Sequence, residues 1–283
     1  MQIVNRVTKE IIDPKEKGII RFMYEKKGGR ALLKVLSSRV VANIVRGYMK
    51  SVFSIPYKRM IIKKNNINLD IYEDRKYLCY NTFFIRRRKK IEFDSDKNSF
   101  ISPAESKLLV LKLDENTKLD IKGSSYTLEE ILKDDIYKEY INGYALIFRL
   151  EETDYHRYIY IDNGTRSKYN HIKGILHTVQ PIAYKKYKIF HENTREWTIL
   201  HTENFDDVIH MEVGAMNIGR IENNPETKFH KGDEKGHFEF GGSTIILFVK
   251  HGIIEIDKDI LDNSKKFMET KVNVGEKVAK KIN

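Results

Sequence analysis

Phe238-Glu239-Phe240-Gly241-Gly242-Ser243-Thr244-Ile245-Ile246-Leu247-Phe248-Val249 sets an aromatic strand end against an apolar run, with two glycines and two hydroxyl residues between them. A Gly-Gly-Ser-Thr at such a junction reads first as a turn, because glycine supplies the positive φ of tight hairpins. The same residues admit a second reading. Without side chains at Gly241 and Gly242 the backbone can enter conformations closed to other residues, and the Gly242 carbonyl stands open to the Ser243 hydroxyl. That is the local requirement of a self-cleaving serine. A chain that reacts there builds a cofactor from its own backbone.

The rest of the chain bounds the choice. Its 283 residues, 41% of them hydrophobic, suit one large domain or two modest ones. Its apolar stretches fall short of the roughly 20 residues that span a bilayer, and Met1 to Arg6 lacks the apolar core of a secretory signal. The expectation is a soluble or peripheral protein kept in the cytoplasm. The lone Cys79 permits neither an intramolecular disulfide nor a cysteine-based metal cluster, and no metal site is expected. A formal charge of +11 calls for an anionic partner, nucleic acid or membrane. No zinc-finger spacing, RNP-type strand or basic zipper appears, so nucleic acid is not expected.

Along the chain, residues 1–27 read as a short β-rich or irregular lead. Apolar residues at Leu32, Leu33, Leu36, Val40, Val41, Ile44, Val45, Tyr48, Met49 and Val52 predict a helix from Arg30 to about Phe53, flanked by Arg30, Lys34, Arg39, Arg46 and Lys50. Such a helix either packs on a core or lies in an anionic lipid interface, and Lys58-Arg59 and Lys63-Lys64 favour the latter. Pro56 marks a boundary. A second helical stretch is predicted over 67–93, ending in the cationic run Arg86-Arg87-Arg88-Lys89-Lys90, a solvated or phosphate-facing patch. From about Phe100 the pattern turns to strands: Leu108–Leu113, Tyr144–Leu150, Tyr158–Ile161, Thr198–Leu200, Val208–Val213, Ile218–Ile221, Ser243–Val249 and Ile253–Ile256. One helix, Thr127–Asp134, interrupts them, with Thr127 as cap and Glu130 at the third position. The predicted class is α+β: an N-terminal helical, membrane-facing region over 1–98, then a β-rich catalytic body over 99–283.

Five short segments, in order, resemble the phosphatidylserine decarboxylase family. Tyr80-Asn81-Thr82-Phe83-Phe84-Ile85-Arg86 is similar to its aromatic–Asn–x–Phe-Phe–x–Arg segment, and Ser102-Pro103-Ala104-Glu105-Ser106 falls at its Pro-x-Asp turn. Asp154-Tyr155-His156-Arg157 matches its Asp-Tyr-His-Arg strand, Met211-Glu212-Val213-Gly214-Ala215 its Val-Gly-Ala strand, and Phe238 to Thr244 its cleavage motif. The resemblance implies a proenzyme cut between Gly242 and Ser243 into chains 1–242 and 243–283. Ser243 would become a pyruvoyl group, which forms a Schiff base with the serine amine of phosphatidylserine and takes up the electrons left as carbon dioxide departs. It further implies that the two chains stay together, with a homodimer open to them, peripheral to the cytoplasmic side of the cell membrane.

By the same resemblance the catalytic candidates are Ser243, His156 and Glu105. An imidazole titrates near neutrality and can both take and give a proton, which suits His156 to general acid–base work; Asp154 and Arg157 read as structural partners. Two positions depart from the family. Where its processing triad has an Asp and a second His, this chain has Glu105 and Ile159, and Ile159 cannot accept a proton. The base for Ser243 is then His156, or His177, His210 or His237 brought into range. His177-Thr178-Val179-Gln180-Pro181 replaces the family's Ser-Val-Asn. The alternative reading is a divergent paralogue that acts on another amino-acid headgroup, or an uncleaved lipid-binding protein.

Overall fold

The computed structural model describes residues 1–13, 38–73, 76–116, 118–121, 124–174, 189–214, 220–240 and 243–282, with positions 18, 22, 28 and 29. Its framework is an 11-stranded sheet. The middle strands are β12 (Asp207–Gly214), β16 (Ser243–Val249), β7 (Tyr144–Leu150) and β4 (Ser106–Lys112), all antiparallel neighbours in that order. Beyond β12 lie β11 (Arg195–Thr202), β9 (Gly164–Arg166) and β14 (Lys228–Phe229), with β10 (Asn170–Ile172) also on β11. Beyond β4 lie β18 (Glu269–Val272), β1 (Ile3–Asn5) and β2 (Ile11–Ile12), β1 running parallel to β18. Three smaller sheets complete the strands: β13 (Ile221–Asn223), β15 (Glu234–Phe238) and β8 (Arg157–Ile159); β17 (Ile254–Ile256), β19 (Lys277–Lys281) and β3 (Ser99–Ile101); and the hairpin of β5 (Lys118–Ile121) and β6 (Ser124–Thr127).

Both faces of the large sheet are apolar, which explains why β7 and β16 read as continuous hydrophobic runs. Successive strand residues point to opposite faces. Leu108, Phe148, Leu150, Ile245 and Leu247 enter one buried cluster with the two small three-stranded sheets. Leu109, Ile147, Ile246, Phe248 and Met211 enter another on the opposite face. There they meet α4 (Leu128–Leu132) and α5 (Ile189–Glu192). The capping box of Thr127 and Glu130 forms as predicted, and Lys133, left-handed at φ 54, ends the helix at Leu132, two residues before the predicted Asp134.

The chain is α+β and β-rich. Of the helix predicted over 30–53, the described part is α1 (Arg39–Met49), capped by Ser38. Pro56 sits in the first turn of α2 (Ile55–Lys64), where its missing N–H costs nothing. Val45 and Met49 pack onto a third cluster with Ile61, Tyr80, Phe83 and Phe84. Val40, Ile44, Tyr48, Val52, Phe53 and Met60 are exposed. No helix among the described residues is long and apolar enough to cross a membrane. The helix predicted over 67–93 is not formed: among its described residues only α3 (Tyr80–Phe84), five residues capped by Cys79, is helical. On either side of α3 the chain pairs with itself, bridging Tyr72 to Arg88, with Glu73 N–H donating to the Arg87 carbonyl and Lys89 N–H to that of Ile71. The last helix, α6 (Lys258–Lys265), went unread in the sequence.

Candidate active site

The site forms where the central strand begins. Ser243 is the first residue of β16, paired with Gly214 of β12 and Leu150 of β7; Gly241 and Gly242 lie outside the described residues. Thr244 follows in a row with Val213, Arg149 and Lys107 across four strands. Its hydroxyl is buried with no hydrogen-bond partner.

Two connecting segments meet beside this strand end. One leaves β7 at Leu150 and turns through Glu151 and Asp154 to His156; the other leaves β15 at Phe238 towards Ser243. The Phe238 N–H donates to the His156 carbonyl at 3.0 Å. Two residues on, the Phe240 N–H donates to Asn81 Oδ1 at 3.2 Å. The Phe240 ring meets Tyr80 and Phe84 edge-on, with centroids 5.1 and 5.6 Å apart. Phe84 in turn lies 3.7 Å from the His156 ring, centroid to centroid. The resemblance segment Tyr80–Arg86 therefore packs against both His156 and Phe240.

His156 is fully buried. Its Nδ1 lies 3.0 Å from the Asp154 carbonyl, which can only accept, so Nδ1 carries the proton. Nε2 then bears a lone pair, and it has no hydrogen-bond partner. Burial first, and the Arg86 guanidinium second, hold this imidazole well below its ordinary pKa, so it is neutral. Its anchor is rigid. Arg86, itself buried, donates to the Thr153 and Asp154 carbonyls at 2.8 and 3.2 Å. Lys107 holds the Asp154 carboxylate at 2.8 and 2.6 Å. Burial pulls the Lys107 ammonium down, but Asp154 and Glu151 outweigh it and keep it a cation.

The remaining candidates are placed as follows. Glu105 lies in the turn before β4, and its carboxylate is taken by the Arg88 guanidinium. Ile159 is buried in the apolar cluster, and its N–H donates to the Pro103 carbonyl at 3.0 Å. The two positions that depart from the family are thus neighbours, with no proton acceptor at Ile159. Arg157 is a structural partner, donating to the Ile85 carbonyl at 2.9 Å and to Glu234 at 2.5 Å. The cationic run is not one solvated patch: Arg86 is buried, Arg88 is committed to Glu105, and Arg87, Lys89 and Lys90 are exposed. His177 and the segment to Pro181 lie outside the described residues.

His210 stands opposite Leu247, four residues along β16 from Ser243, or about 13 Å at the strand rise. It belongs to a separate buried cluster in which Lys235 donates to Glu212 and, at 2.9 Å, to Asn223. Burial pushes the Glu212 carboxyl up, but Lys235 and His210 outweigh it and hold it at about 2. His237 pairs with Arg157 and Glu222 across its strands, and burial followed by Arg157 lowers it to about 4. The sequence reading passed over Lys107, Arg149, Glu212 and Lys235. For Lys107, Arg149 and Glu212 the signal was available: a charged residue inside an apolar strand that is buried on both faces must have a partner.

A pyruvoyl group formed at residue 243 would fit these surroundings. It would stand next to Thr244, whose buried hydroxyl has no partner, on a strand end paired with the buried Gly214 and Leu150.

Comparison with known proteins agrees. The sequence pattern of the family described as phosphatidylserine decarboxylase matches residues 80–280. The chain is 44% identical to phosphatidylserine decarboxylase proenzyme 2 of Clostridium acetobutylicum, covering 98% of this chain and 97% of the relative. It is 38% identical to the phosphatidylserine decarboxylase proenzyme of Clostridium tetani, covering 100% and 99%. With the Clostridium beijerinckii proenzyme it shares 36% identity over 100% and 99%. Matched by the family pattern over most of its length and by relatives 36–44% identical across nearly their whole chains, the chain belongs to the phosphatidylserine decarboxylase family.

Proposed function

We propose that this chain is a self-processing proenzyme that converts phosphatidylserine to phosphatidylethanolamine at the cytoplasmic surface of the cell membrane. The pyruvoyl group from Ser243 supplies the carbonyl that draws off the electrons of the breaking C–C bond. The chain's own residues do the rest. His156 Nε2 holds or delivers the proton that replaces the carboxylate, Phe84 and the Asp154 carbonyl fix its plane, and Tyr80, Phe84 and Phe240 exclude water. The observation that carries the reading is this unpartnered His156 nitrogen in a family member, on a residue whose carbonyl holds Phe238 in the segment that leads to β16. The relatives are named for this decarboxylase, so the paralogue reading is not favoured.

The membrane part rests on a different surface. Val40, Ile44, Tyr48, Val52, Phe53 and Met60 are exposed on α1, α2 and the turn joining them, beside the exposed cations Arg59, Lys63 and Lys64. Apolar side chains bordered by cations suit an anionic lipid interface, and the substrate is itself an anionic lipid. The division at residue 98, the two-chain product and a homodimer belong to the same proposal.

Intact mass under denaturing conditions, followed by carbon dioxide release from phosphatidylserine vesicles, tests it. A blocked fragment of residues 243–283 and release that Ser243→Ala abolishes are expected. Purified wild-type chain that stays whole would sink the enzyme reading; cleavage without release would change the substrate.

A further inference from the structure

We propose that His156 is also the base that activates Ser243 for self-cleavage, so that one imidazole serves both the making and the use of the cofactor. The inference rests on the proenzyme reading above. His156 presents a lone pair at Nε2 that no described group uses, while its Nδ1 proton is committed to a fixed carbonyl. Its carbonyl holds Phe238, and its ring lies against Phe84, which Phe240 also packs against, so the described residues Phe238 and Phe240 ahead of Ser243 are tied to His156.

The other described groups are placed for other work. The carboxylate of Glu105 is paired with Arg88. His210 lies about 13 Å along β16 from Ser243. His237 shares its row with Arg157 and Glu222. Burial keeps His156 in the neutral form that can accept a proton.

The step balances without a further reagent until water enters. His156 Nε2 takes the Ser243 hydroxyl proton as the oxygen bonds to the Gly242 carbonyl carbon. The imidazolium returns that proton to the nitrogen of residue 243 as the C–N bond breaks, leaving an ester. Nε2 next removes the α-proton of residue 243, the Cβ–Oγ bond breaks, and residues 1–242 depart as a carboxylate. The imidazolium returns that proton to Cβ as the dehydroalanine tautomerises to an imine, and water adds to the imine carbon and expels ammonia, leaving the pyruvoyl group.

The test is the fate of His156→Gln and His156→Ala proenzymes, judged for folding against Ser243→Ala by circular dichroism and thermal melting. Both are expected to fold like Ser243→Ala and to remain whole, with cleavage slowed about 100-fold or more. Imidazole added to His156→Ala should restore part of the cleavage. His177→Gln and His237→Gln should cleave. A His156 variant that cleaves normally and fails only in carbon dioxide release would overturn the inference and leave the enzyme reading intact. So would a folded His177→Gln or His237→Gln that stays whole, a result that counts even where the His156 variants do not fold.

Discussion

Lys50 Nζ lies 2.6 Å from Glu239 Oε1, joining α1 to the segment just ahead of the cleavage motif. Glu239 is nearly buried, and its second carboxylate oxygen has no partner. Lys50→Met therefore strands a desolvated charge and should cost about 1–3 kcal/mol. Glu239→Gln should cost less, because it removes the charge together with its need for a partner. Urea unfolding of both changes in the Ser243→Ala background measures the difference.

Arg149 donates two hydrogen bonds to Glu269, at 2.7 and 2.6 Å, between side chains that are almost wholly buried. Arg149→Met alone should destabilise the uncleaved protein by about 3–5 kcal/mol, while Arg149→Met with Glu269→Met should recover most of that loss. A double-mutant cycle by denaturant unfolding decides it.

The buried histidines set the acid limit of the fold. Burial holds His156, His210 and His237 below their ordinary pKa, His237 at about 4. As pH falls below about 6.5, the unfolded chain binds protons that the folded chain refuses, so stability is full above that value and declines below it. Glu212, held at about 2, adds a second loss as pH falls through the carboxylate range. Urea midpoints of Ser243→Ala should drop steadily from pH 7 to 5, and His237→Gln should flatten that drop.

The exposed apolar residues give a prediction independent of the chemistry. Ile44→Ser with Phe53→Ser should weaken sedimentation with phosphatidylserine vesicles about tenfold or more, and raised salt should weaken the wild type as well. Cleavage should proceed unchanged. Equal binding by wild type and variant would remove α1 from the membrane surface.

Much of this was legible in the sequence wherever one local cause acts alone. The apolar runs Tyr144–Leu150 and Ser243–Val249 become strands with those same bounds, and Thr127 with Glu130 forms its capping box. The stretch 67–93 misled because its aromatic residues are buried by tertiary contacts and not along a helical stripe: Tyr80, Phe83 and Phe84 form one short turn against α1 and α2. The cationic run misled for the same reason, since the burial of Arg86 depends on carbonyls about 70 residues away. His156 was readable as a motif, whereas its lone pair required the fold.

With the cut proposed between Gly242 and Ser243, the placement of β16 between β12 and β7 would make assembly a one-way event. While the chain is continuous, the strand reaches its slot as part of a single folding molecule. Once cut, the same slot can be refilled only by an encounter between two polypeptides. The refolding yield of the mature protein should therefore rise with protein concentration, whereas that of Ser243→Ala should not. A protein cut there would persist by the slowness with which that strand escapes, a kinetic endurance fixed before its first turnover.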